Sequence, residues 1–67
     1  MSHEYNACQI DRRAAVLRSD AYQSAVKLMA DGVPLAVIVP RLRRRYAYIS
    51  SLESAARAGQ IPAEAIA

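Results

Sequence analysis

Sixty-seven residues with one cysteine, one histidine and a net charge of +3 make one small domain at most; a chain this short buries only about 60% of its unfolded surface. A lone Cys8 excludes an internal disulfide framework, and with His3 as the sole histidine there is no zinc-like cluster. The longest purely apolar run, residues 33–39, is far below the ~18–20 residues that span a bilayer.

The first residues, through position 10, are expected to form a flexible N-terminal tail, with His3 and Tyr5 untethered, ahead of a single domain over 11–67. Asp11 is a candidate N-cap or first-turn acid. Behind it, Ile10, Ala14 and Leu17 fall on one helical face. Ser19-Asp20 is a second helix-start signal, followed by Tyr22, Ala25, Val26 and Met29 on one side. Gly32 supplies a left-handed helix stop.

Pro34 suits the first turn of the next helix, and Leu35, Ile38, Val39 and Leu42 follow with helical spacing. Pro40 opposes this, since a proline inside a helix removes one backbone bond and can cost ~3 kcal/mol. Residues 43–45, three consecutive arginines, are the expected turn, although they include no glycine. Beyond them Ile49, Leu52 and Ala56 form an apolar face and Gly59 closes the helix. Pro62 starts a short last element anchored by Ile66. A rival arrangement stays open: one continuous helix from Pro40 to Ala58, with Leu42, Tyr46, Ile49, Leu52 and Ala56 on one face and a strand or an extended arm before it.

Charge is unevenly distributed. Positions 41 to 57 hold five arginines and one glutamate, giving +4; the rest of the chain, with four basic and five acidic residues, sums to −1. Clustered arginines suit a polyanion, because each guanidinium can engage phosphate or guanine through two parallel hydrogen bonds. Catalysis is not expected. There is no glycine-rich phosphate loop, no carboxylate pair at useful spacing, and no base beside Cys8 to activate its thiol. No cofactor or metal is expected.

Residues 25–66 resemble the helix-turn-helix region of ParB-type partition proteins. The resemblance lies in Ile38-Val39-Pro40-Arg41-Leu42, then Tyr46-Ala47-Tyr48-Ile49-Ser50-Ser51-Leu52, then Gln60-Ile61-Pro62. The chain departs from that pattern at Val39, where a small residue is usual, at Arg43, where glycine makes the turn, and at Pro40. The resemblance implies an all-α domain of four to five short helices containing a helix-turn-helix, and sequence-specific binding of double-stranded DNA in transcription regulation or in plasmid or phage maintenance. In such a motif the second helix lies in the major groove.

With Ile49 as the buried anchor, the expected DNA-binding residues are Arg41, Arg43, Arg44, Arg45, Tyr46, Ala47, Tyr48, Ser50, Ser51, Ser54 and Arg57. Arg45 is the candidate for reading a guanine, and Arg41, Arg43, Arg44 and Arg57 for phosphates. The serines suit a solvated helix face as well as a contact, and Tyr48 suits the core as well as a phosphate. A homodimer is expected, with Ile10, Ala14 and Leu17 as its surface, in a cytoplasmic, nucleoid-associated protein without a membrane partner. The alternative is a helical protein-interaction module, such as an antitoxin or anti-activator, that masks a protein partner.

Overall fold

The computed structural model describes residues 7–66. They form an antiparallel helical hairpin: α1 spans Ala7–Ala30, α2 spans Leu35–Arg57, and a single 3₁₀ turn covers Ala63–Ala65. The all-α class is as expected, but two long helices replace four to five short ones. Two expected breaks are helical instead. Ser19 and Asp20 lie exposed within α1, where each costs only a few tenths of a kcal/mol and where neither glycine nor proline interrupts the run. Helix α1 also starts at Ala7 and so takes in residues 7–10 of the expected tail. The tail's residues 1–6 lie outside the described residues. Asp11 caps nothing; it sits on the surface of α1.

The helix-turn-helix is not formed. Residues 43–45 are in the middle of α2, because arginine is a strong helix former and nothing in that triplet favours a turn. The rival continuous helix is therefore the arrangement found, except that the apolar segment before Pro40 is helical too. Pro40 is tolerated because it is only the sixth residue of α2. The one bond its missing N–H removes would have gone to the carbonyl of Ala36, in the first turn and exposed. Upstream, Pro34 stands one position earlier than expected, as the N-cap. Its carbonyl accepts from the N–H groups of Val37 (2.9 Å) and Ile38 (3.2 Å).

Both glycine stops are where the sequence places them. After α1, Gly32 N–H donates to Met29 O and Val33 N–H to Leu28 O, each at 3.0 Å. After α2, Gly59 N–H donates to Ala56 O (3.1 Å) and Gln60 N–H to Ala55 O (2.9 Å). These paired bonds are the Schellman arrangement. It needs a left-handed residue, and the two glycines have φ of +86° and +76°, where a Cβ would be strained.

The core is thin. Among the described residues the buried apolar side chains are Ile10, Ala14, Ala25, Ile38, Ile49, Ala56 and Ile66. Ile49 and Ile66 are sealed from solvent, each contributing about 1.5–3 kcal/mol of burial. The 3₁₀ turn folds back so that Ile66 meets Ile10 and Ala56, with Leu17, Leu52, Ile61 and Ala63 packed around them. Ile10, Ala14 and Leu17 thus serve intramolecular packing. The expectation that they form a dimer surface is overturned, because α2 and the C-terminal turn already cover that face.

Ion pairs show which flanks of the two helices share a broad face. Arg18 donates to Glu53 (2.7 Å) and to the Ser50 hydroxyl (3.1 Å), while Arg57 pairs with Asp11 and with Glu53 (3.1 Å). On α1 this ridge runs through Asp11, Arg18, Tyr22, Val26 and Met29; on α2 it runs through Leu35, Val39, Tyr46, Ser50, Glu53 and Arg57. All these steps are of three, four or seven residues, so each set stays on one side of its helix. The half of this face near the chain ends carries the ion pairs, and the half near the interhelical turn is apolar.

Candidate nucleic-acid interface

Helix α2 turns its Ile38, Ile49 and Ala56 side toward α1. Its opposite side is a stripe of exposed residues at helical spacing: Arg43 and Arg44, then Ala47, Ser51 and Ser54. Small side chains over the last two turns let another surface approach the helix closely. The two arginines stand at one end of the stripe. No acidic residue occurs in α2 before Glu53, so this end of the helix is uniformly positive.

Arg41, Arg45 and Tyr48 form a second stripe at steps of four and three. The Arg45 guanidinium lies over the Tyr48 ring, 5.7 Å from its centroid, a cation–π contact that orients the arginine. Arg41 and Arg45 also border an open groove between the helices, together with Lys27 and Asp31. Its floor includes Ala25, Leu28, Ile38 and Leu42. Lys27 is a cation the sequence reading overlooked by treating positions 41–57 as the whole basic stretch. The signal was present, since a short connection makes helices antiparallel neighbours and brings residues on either side of Gly32 together.

The expected contact residues therefore separate into groups. Arg43, Arg44, Ala47, Ser51 and Ser54 are on the outer side of α2. Arg41, Arg45 and Tyr48 are on the flank beside Lys27. Tyr46 is half-buried on the other flank. Ser50 and Arg57 belong to the ion-pair cluster with Arg18, Asp11 and Glu53. Arg18 and then Arg57 hold the Glu53 carboxyl below its ordinary range, chiefly by donating hydrogen bonds to its charged form.

Cys8 is exposed on α1, with the Arg12 guanidinium 3.8 Å from its sulfur. Among the described residues, no group of three or more His, Cys, Asp or Glu is placed to share a metal ion. No described helix is long and apolar enough to cross a membrane. Compared with protein-family models, with curated proteins and with solved structures, the chain finds no match.

Proposed function

We propose that the chain binds double-stranded DNA through the outer side of α2, in transcription regulation or in plasmid or phage maintenance. The observation that carries this reading is a contrast among the arginines. Arg18 and Arg57 are held by carboxylates, whereas Arg41, Arg43, Arg44 and Arg45 sit exposed, with no carboxylate among their described partners. Four such cations on little more than one turn of helix repel one another and are relieved by an anionic partner.

The mode of docking differs from that of a helix-turn-helix. A continuous helix enters the major groove by its outer stripe, as basic-region helices do. Ala47, Ser51 and Ser54 allow the backbone to approach the base edges. Arg44, at the end of that stripe, is better aimed at a guanine than Arg45, which lies over Tyr48 on the flank. Arg41, Arg45 and Lys27 border the groove edge and engage phosphates, which position the protein without reading sequence. A single hairpin covers little DNA, so two copies on neighbouring half-sites strengthen binding.

Binding measured by fluorescence anisotropy over a range of salt tests this. Arg41→Ala is expected to weaken binding to all duplexes and to reduce the salt slope by about one. Arg44→Ala is expected to cost ~1–3 kcal/mol on the preferred duplex, with a smaller loss on random DNA. Arg57→Ala should leave the slope unchanged, because its charge is matched by Asp11 and Glu53. Equal slopes for all three variants would rule out the assignment.

The alternative, a protein-interaction module, draws on a separate observation: the exposed apolar half of the face opposite the groove.

A further inference from the structure

We infer that a second copy of this chain covers the apolar half-face beside the interhelical turn, making a two-fold dimer of hairpins. The surface consists of Tyr22, Val26 and Met29 on α1 and Leu35 and Val39 on α2. These side chains are between 40% and 57% exposed. Together they show on the order of 500 Å² of side chain, at the upper end of the apolar patches found on ordinary monomers. With their flanking atoms they approach the ~800 Å² per partner of a standard interface.

Three observations favour a second copy as the occupant. First, the hairpin is short of core. Its large buried apolar side chains are four isoleucines, whereas eight large apolar side chains are exposed among the described residues. A domain of this size commonly makes up such a shortfall by oligomerising. Second, the patch is uncharged. Between Tyr22 and Met29 the only charged residue is Lys27, and it borders the groove with Arg41 and Arg45. Between Leu35 and Val39 there is no charged residue. The patch itself therefore opposes no like charges when two copies, each carrying +3, meet on it; the exposed Arg43, one turn beyond Val39, stands at its edge. Third, the patch occupies only half of its face. The other half holds the Asp11, Arg18, Glu53 and Arg57 ion pairs, which are costly to bury. An antiparallel overlap of the two turn-proximal halves, with the two-fold axis near Val26 and Val39, puts apolar on apolar. It leaves both ion-pair clusters in water, at opposite ends. The interface is self-complementary, as two-fold symmetry requires. Each outer stripe of α2 stays uncovered.

Sedimentation of the whole chain without DNA tests the dimer independently of what the arginines bind. The wild-type chain is expected to sediment as a dimer at concentrations of about 10–100 μM. Val26→Asp and Val39→Asp should convert it to monomer. Val16→Asp should remain dimeric, because Val16 is more exposed than either patch valine but stands half a helical turn away from the Arg18 ridge. A wild-type monomer, or a dimer that survives both patch variants, overturns the inference. Because a monomer could unfold, a cross-linking pair provides a second readout. In a Cys8→Ser background, Val39→Cys should oxidise to a covalent dimer in high yield and Val16→Cys should not. Equal yields at the two positions also overturn it.

Discussion

Glu53 is the acceptor on which the ion-pair cluster turns, since it receives both Arg18 and Arg57. Its carboxyl has a lowered pKa in the folded chain, so its charged form stabilises the fold. That stabilisation is fully present above the unfolded glutamate pKa of about 4.3 and is lost as pH falls through the lower folded value. Glu53→Gln is therefore expected to lower stability by about 0.2–1 kcal/mol at pH 7, the range for exposed pairs. It should make little difference near pH 2. Urea midpoints at the two pH values measure this, and an equal loss at both would show that the charge is not the cause. Sequence alone did not reveal this cluster, because Asp11, Arg18, Glu53 and Arg57 are brought together only by the pairing of the two helices. Ile49 was legible as a buried anchor because its spacing from Leu52 and Ala56 repeats with a helical period. The charge excess at positions 41–45 was likewise plain from composition. Which arginines belong to which flank was not, since that depends on where α1 lies.

At the scale of the elements, the outer stripe of α2 exists only because α2 is one helix through residues 43–45. Gly32, Gly59 and Pro34 were legible because each has a local backbone requirement that needs no tertiary context. The helix through 43–45 was harder to read, since Pro40 and the apolar run before it suggest a boundary that later packing overrides. A glycine placed at position 43 separates the two arrangements. In an exposed helix interior, Arg43→Gly costs about 1 kcal/mol. In a tight turn it is neutral or stabilising, because glycine reaches left-handed conformations at no steric cost. The continuous helix predicts a lower thermal midpoint and reduced helical circular dichroism for Arg43→Gly. An unchanged or raised midpoint would restore the turn.

At the scale of the whole molecule, the hairpin segregates its chemistry. The outer side and one flank of α2 are positive, and the ion-pair cluster occupies the end near the termini. The apolar half-face lies beside the turn. Segregation of this kind lets one surface associate with a second copy while another meets a polyanion. The sequence pointed to a polyanion through its charge distribution and to self-association through its small size. It could not assign them to separate faces, because the apolar residues divide between core and surface only once the hairpin closes. Titration of the isotope-labelled chain with a short DNA duplex, followed by amide chemical shifts, tests the central claim most directly. Shifts are expected to concentrate at Arg43, Arg44, Ala47, Ser51 and Ser54, and to spare Tyr22, Val26 and Met29. Shifts confined to the Tyr22–Val26–Met29 ridge, or none at moderate salt, would contradict it.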